Sequence, residues 1–576
     1  VQPRNSSALS PLDLLLRGLG ATVKAQLRQL NLRVVELPAD AVVKLAARSE
    51  VRYLSPDSEI KSYGHVKTTS GTEAANSNMG LLGLGTLDGS GIAIAVIDSG
   101  IDTNHRSFLN SLGLSRVSAS RDFTGESRTD DPFGHGTHVA SAAAGNGQVS
   151  GGQYEGIAPN AQLINLRVLN SQGTGTASGL LGALDWVLAN RTLFNIRVIN
   201  MSLGMTAVDS YRNDPVCLAV RRLADAGVVV VAAAGNNGKD SSGNKIYGQI
   251  HSPGNEPSAI TVGAANTFGT DGRMDDGVAS YSSRGPTRSF WTDESGVRHY
   301  DNLIKPELVA PGNKVIWAEA VNNYLVTTHP DLDAGVSLST TRKMMYLSGS
   351  SMATPVAAGA AALLLQVNPT LTPNLVKMIL MYTAQPLAGY NQFEQGAGEI
   401  NIEGAVRLAG LVRPSLSLLT TVGDPLLTTS SLPSAQTTIA GQSFTWAQGI
   451  ILNHTYATGT ELITKYQKVY GTGLLLGDGV IESNTAQEIN PQVMTSGARL
   501  GSQILTSDGT SLDSGLGFFD TSLLLGDGII IGDGIIIGDG IIIGDGIIIG
   551  DGIIIGDTAV QAQSATVKGD PTSYMR

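Results

Sequence analysis

Residues 92–100 read Ile-Ala-Ile-Ala-Val-Ile-Asp-Ser-Gly, apolar at every position through Ile97 and then closed by the carboxylate Asp98. A strand with one wet face alternates apolar and polar residues. One that is apolar throughout is buried on both faces, as in a parallel sheet. Further buried-strand runs recur at Gln162–Val168, Val198–Met201 and Val228–Ala232, with Ala- and Leu-rich helical stretches between them. From about 80 to 410 this alternation predicts an α/β layered fold with a mainly parallel sheet. Its glycines often follow strands directly, where loops cross the carboxyl edge of the sheet and ligands bind in open α/β folds.

Outward from this stretch the texture changes twice. Residues 1–65 read as a small α+β unit: Leu32–Leu37 and Val51–Leu54 have strand character, and Ala39–Ala47 follows a proline as a short helix. Residues 66–79 are polar and read as a linker, followed by the α/β domain over 80–410. Beyond 410 the chain is rich in Ser, Thr, Gly and Leu and poor in charge over 411–522. A hexapeptide repeat, Leu-Leu-Leu-Gly-Asp-Gly and then Ile-Ile-Ile-Gly-Asp-Gly, fills 523–557, and a tail covers 558–576.

Composition narrows the function classes. The 576 residues include 70 glycines, about 12 % against roughly 7 % in average proteins, without the every-third spacing of collagen. A net charge of −11 with no basic cluster argues against nucleic-acid binding. Gly-Asp-Gly interrupts each apolar triplet of the repeat, and no apolar run approaches the ~18 residues of a membrane span. Cys217 is the only cysteine, so neither an intrachain disulfide nor a cysteine-rich zinc site can form. The chain starts at Val1 without a signal-peptide pattern, so either export does not occur or a signal was removed earlier.

Four local patterns carry chemistry, in a fixed order: Asp98 at the end of the first strand, Gly134-His135-Gly136-Thr137-His138 opening an Ala-rich helix, Ala234-Gly235-Asn236 after a buried strand, and Gly349-Ser350-Ser351-Met352-Ala353-Thr354-Pro355 opening another helix. Taken singly, each has a structural explanation as a cap or turn. Together they set an acid, an imidazole, an amide donor and a hydroxyl in the chain order Asp…His…Ser known from subtilisin.

Residues 80–410 resemble the subtilisin-like serine proteases, the subtilases. The resemblance extends to Val198–Gly204 (VINMSLG), Lys305–Gly312 (KPELVAPG) and Gly349–Pro355. It implies a three-layer subtilisin-like fold and a catalytic triad in which Ser351 is the nucleophile, His135 the base and Asp98 its orienting carboxylate. It implies Asn236 as an oxyanion donor, a structural part for His138, and an extended peptide substrate flanked by Gly173, Gly175, Ser202, Leu203 and Gly204. The first specificity pocket is expected near Ala232–Ala234 and Pro253-Gly254.

The resemblance also implies that residues 1–65 are an inhibitory propeptide, cut between about Lys61 and Asn76. Protein or peptide substrates and the chain's own propeptide are the expected partners, and secretion from a bacterium the expected location. No cofactor is required. Many subtilases hold calcium on the loop after the His-bearing helix, but Gly145–Gln153 lacks that sequence. An insertion between Trp317 and Tyr346 reads as a lid or a surface loop. The repeat reads as an antiparallel meander, a stacked solenoid with a column of aspartates able to hold cations, or a disordered or self-associating segment. The alternative function is a non-catalytic surface or scaffold protein; all three triad residues and the amide donor favour the endopeptidase.

Overall fold

The computed structural model describes residues 2–474 apart from 4–8, 28–31, 55–64, 82–85, 150, 297 and 417–418. It also describes residues 476, 500–501, 541–543, 547–549, 559–562 and 569–570. Two compact units divide the chain, Val1–Ser62 and Tyr63–Arg576. In the first, a helix Leu9–Gly18 precedes antiparallel strands Thr22–Leu27 and Leu32–Glu36, a helix Ala39–Ala46 and a strand Val51–Tyr53 that pairs with Gln2–Pro3. Leu12, Leu16, Leu45 and Val51 form its small core.

The second unit is built on β1 (Ala93–Asp98), β2 (Val117–Asp122), β3 (Gln162–Arg167), β5 (Ile196–Met201), β7 (Val229–Ala233), β8 (Ile260–Asn266), β9 (Gly277–Val278) and β10 (Leu308–Pro311). Two short edge strands, β4 (Thr174–Thr176) and β6 (Leu203–Gly204), lie off this sheet. The sheet order is β9-β8-β7-β5-β1-β3-β2, with β10 also beside β8; β9 alone runs antiparallel. Ile94 and Val96 pack in the cluster that contains Val139 and Ala143 of α1 (His135–Ala144) and Ala357 and Ala361 of α4 (Ser350–Val367). Ala93, Ala95 and Ile97 join the opposite cluster with Leu180 and Leu184 of α2 (Ala177–Asn190) and Val216 and Val220 of α3 (Pro215–Asp225). Successive residues of a strand point to opposite faces, so β1 is apolar from Ala93 to Ile97 because helices cover both sides. Three layers result, as the alternation predicts.

Helix α4 is the one described helix long and apolar enough to cross a membrane, and 89 % of its apolar window is buried inside the protein. It is the core helix of the second unit.

Two stretches differ from the reading of their composition. Residues 66–79, read as a linker, are helical within His65–Thr69 and Thr72–Leu81. Thr69, Ser70, Thr72 and Ala75 are buried, Asn78 donates to Glu403 Oε1 at 3.0 Å, and Arg273 donates to the Thr69 carbonyl at 2.9 Å. These hydrogen bonds act together with Val66 and Ala75, which join the main core. The change of texture near 410 is likewise no edge of the compact unit. Trp446, Ile450–Leu452 and Tyr470 belong to the main core, against α5 (Pro373–Thr383) and α6 (Ile402–Ala409). Within α5, Asn374 donates to the carbonyls of Val469 and Leu474.

Most of the repeat lies outside the described residues. Two of its triplets, Ile541–Ile543 and Ile547–Ile549, pair antiparallel with Ile542 opposite Ile548. For these two, that is the pairing of the meander; a solenoid would stack them parallel.

Candidate active site

Asp98 is the last residue of β1, the strand that starts mid-sheet before the chain fills first one side (β2, β3) and then the other (β5, β7, β8). Such a switch point opens a crevice at the carboxyl ends of the strands. The start of α1 is locked onto the end of β1. Asp131 accepts hydrogen bonds from Gly134 N (2.8 Å), Thr137 N (2.7 Å) and Ser99 Oγ (2.7 Å), and Ser99 Oγ accepts from Gly136 N (2.9 Å). These bonds satisfy helix donors that have no intrahelical acceptor. Burial nonetheless pushes the Asp131 carboxyl above its usual range. Gly136 permits the approach: a Cβ there would stand 2.2 Å from the Gly100 carbonyl oxygen.

The docking brings His135 Nδ1 to 2.6 Å from Asp98 Oδ1, with the two side chains 0 % and 1 % exposed. The same oxygen accepts the Ser99 N–H at 2.8 Å. A carboxylate accepts only, so Nδ1 carries the proton, and in the neutral imidazole Nε2 is left as an acceptor. Nε2 is buried and bonds to none of the described residues. His138, one turn on, lies edge-on to Trp317 at 5.5 Å, and its Nε2 donates to the Val315 carbonyl at 3.2 Å. Burial, with His135 nearby, lowers its pKa to about 3, so it stays neutral in its packing place.

Ser351 is the second residue of α4, so its N–H has no intrahelical acceptor. Its hydroxyl donates to the Ser202 carbonyl at 2.9 Å, while Ser202 Oγ donates to the Ser351 carbonyl at 2.7 Å. No hydrogen bond joins Ser351 to His135 among the described residues; rotation of the hydroxyl off Ser202 would be needed to make one. Asn236 is fixed beside the same helix start. Its Oδ1 accepts the Ser350 N–H at 2.8 Å, and Gly235 N donates to Ser350 Oγ at 3.1 Å. This bond sets the amide orientation, leaving the buried Asn236 Nδ2 as a donor with no partner among the described residues. The site thus holds an uncommitted acceptor on His135 and an uncommitted donor on Asn236.

Gly173 and Gly175, and Ser202, Leu203 and Gly204, lie on or beside β4 and β6. A third strand, β11 (Ala559–Ala562), stands between those two edges and pairs antiparallel with both. Near the expected specificity pocket, His251 N donates to the Ala234 carbonyl at 3.1 Å, and a Cβ at Gly254 would stand 2.9 Å from the Ala233 carbonyl oxygen.

The insertion between Trp317 and Tyr346 packs beside the His-bearing loop. Tyr324 N and Leu325 N donate to the carbonyls of Pro132 and Phe133, and Tyr324 stacks on Phe133 with centroids 6.0 Å apart. Phe133 lies 6.4 Å from the His135 ring and fills the space where Gly173 would carry a Cβ. Asp131, Ser99 and Phe133 were not legible as site residues, because their partners are distant in sequence. The Asp131–Gly134–Thr137 spacing was the one local signal, that of a helix cap.

The loop Gly145–Gln153 does not fit calcium. It holds no carboxylate, Asn146 Oδ1 already accepts the Gln148 N–H at 3.0 Å, and Asn146 Nδ2 donates to the carbonyls of Arg106 and Leu109. The buried Arg116 guanidinium donates to the carbonyls of Ser107, Ala144 and Ala161, bringing positive charge to the end of α1. Among the described residues no group of three or more His, Cys, Asp or Glu is placed to hold a metal ion.

This geometry sits within a recognisable set of relatives. The family profile described as "Subtilase family" matches residues 89–398. The chain is 34 % identical over 390 residues to Serine protease AprX of Bacillus subtilis, covering 67 % of this chain and 81 % of that one. It is 33 % identical over 320 residues to Subtilisin DY of Bacillus licheniformis, covering 55 % and 92 %. With the Extracellular serine proteinase of a Thermus species it shares 32 % identity over 360 residues, covering 61 % and 70 %. A parallel-sheet core, a family profile spanning more than half the chain and relatives matched over most of their length agree: the chain belongs to the subtilase family of serine proteases.

Proposed function

We propose that the protein is a secreted serine endopeptidase whose triad is Asp98, His135 and Ser351. The observation that carries this is the buried 2.6 Å Asp98–His135 pair, which leaves Nε2 as an acceptor beside the helix that presents Ser351. In this reading an extended peptide lies along Gly173, Gly175, Ser202, Leu203 and Gly204. The Ser351 hydroxyl turns from Ser202 to His135 and attacks the scissile carbonyl carbon as Nε2 takes its proton. Asp98 holds the imidazole in the needed tautomer and stabilises the imidazolium. The oxyanion accepts from Asn236 Nδ2 and the Ser351 N–H. His135 then protonates the leaving amine, and water hydrolyses the acyl-enzyme by the same route. No cofactor takes part.

Residues 1–65 are proposed as an inhibitory propeptide. The cut is expected between about Lys61 and Asn76; the packing of Thr69 against Arg273 and of Asn78 on Glu403 favours the earlier part of that window. Edman sequencing of active enzyme should find an N-terminus in that window; active enzyme starting only at Val1 would exclude the processing. Secretion is supported by the relative named an extracellular proteinase.

The central test is labelling with an active-site serine phosphonate. The protein should become modified at one serine, and Ser351→Ala should abolish both labelling and propeptide release. Undiminished labelling of Ser351→Ala refutes the nucleophile, and no labelling of the unaltered protein favours a non-catalytic scaffold.

A further inference from the structure

The C-terminal residues 559–562 form the middle strand of a three-stranded sheet whose outer strands are the two groove edges. Gln561 stands opposite Gly204 on one side and Thr174 on the other; Val560 faces Gly175, Ala559 faces Thr176 and Ala562 faces Leu203. Main-chain pairing of this kind needs no particular side chains, which is how an extended peptide is captured by strand addition. The direction matters too. Antiparallel to Leu203-Gly204, β11 points its C-terminal end toward Ser202, whose carbonyl holds the Ser351 hydroxyl. The strand is therefore laid with the polarity of a substrate's acyl side.

A second contact follows seven residues further on. Asp570 accepts from the N–H of Ser280 at 2.8 Å and from its hydroxyl, and its own N–H donates to Asn313 Oδ1 at 2.9 Å. Gly569, with φ +53°, lies where a Cβ would stand 2.4 Å from Ser348 Oγ, three residues before Ser351. Both docked stretches thus reach segments that adjoin the nucleophile.

We propose that residues 559–562, anchored a second time through Gly569 and Asp570, are a built-in occupant of the peptide groove, competing with substrate from within the same chain. The proposal rests on the endopeptidase reading above and adds an inhibitor separate from the N-terminal unit. Tethering makes weak pairing effective. A segment with Kd of about 0.1 mM at an effective concentration of about 1 mM fills the groove in roughly nine chains of ten. The apparent KM then rises about tenfold, because only the vacant fraction binds substrate.

The test uses the full chain with two substitutions outside the catalytic machinery. Gln561→Pro removes a ladder N–H from the middle strand, and Asp570→Ala removes the second anchor. Both should lower KM for a short chromogenic peptide, by about five- to tenfold for Gln561→Pro, with kcat within twofold of the unaltered enzyme. A synthetic peptide of residues 559–570 should inhibit the Gln561→Pro enzyme competitively. Unchanged KM in both variants, with Ser351 still labelled by the phosphonate, overturns the proposal and leaves the protease reading intact. Absence of labelling in the unaltered chain and both variants overturns both.

Discussion

Asn236 shows how much a single side chain is asked to do. Its carbonyl end is tied to the Ser350 N–H, so the amide cannot flip without leaving a buried donor unsatisfied. In the proposed mechanism that bond would hold Nδ2 ready for an oxyanion without reorganisation during the reaction. Asn236→Ala should lower kcat by about 10²–10³ with KM little changed, a magnitude known from subtilisin itself. Steady-state kinetics on a short peptide checks this. A fall confined to KM would assign Asn236 to ground-state binding instead.

At the scale of elements, α1 carries two histidines in opposite circumstances. His135 opens the helix against Asp98, whereas His138 is buried against Trp317 with its pKa lowered to about 3. The unfolded chain protonates His138 near its ordinary 6.5, but the folded chain does not until about pH 3. Between those values the unfolded state binds more protons, so stability rises with pH in that window and is lost on acidification. His138→Gln should flatten the dependence of unfolding free energy on pH between about 3 and 6.5, measured by urea titration at several pH values. An unchanged slope would show that other groups set the acid limit.

Across the whole molecule, a buried charge cluster ties the sheet to the helices behind it. Glu307 Oε1 accepts from Lys305 Nζ at 2.8 Å and from Lys377 Nζ of α5 at 2.7 Å. Burial lowers the Lys305 pKa to about 8, and the two ammonium groups hold the Glu307 carboxyl below its usual range despite its burial. Lys305 also donates to the carbonyl of Glu256 and to Thr261 Oγ1, and Lys377 to the carbonyl of Pro257. Removing the acid would strand two buried cations. Glu307→Gln should cost about 3–5 kcal/mol of stability in denaturant unfolding while the labelling of Ser351 persists in the folded fraction. A loss under 1 kcal/mol would mean that carbonyl oxygens alone satisfy the lysines.

The sequence by itself determined the layered architecture, because β1 is apolar at every position before Asp98 and only a sheet covered on both faces accommodates that. It also determined which residue types could form the site, since Asp98, His135, Asn236 and Ser351 stand in motifs whose spacing is local. What lay beyond it were contacts between residues far apart in the chain. The helices at 65–81 looked like linker because hydrogen bonds to Glu403 and Arg273 fix them together with Val66 and Ala75 in the core, too few apolar residues to show a period. The region 411–522 was set apart from the α/β domain by its texture, because a Ser-, Thr- and Gly-rich composition concealed buried residues such as Trp446, Ile450–Leu452 and Tyr470 that join the main core. Only the tertiary structure decided that Asp131 pins the His-bearing helix and that the insertion buttresses Phe133. It alone placed residues 559–562 between the groove edges. Backbone pairing is indifferent to side-chain identity, so no pattern in Ala-Val-Gln-Ala could have announced that partner.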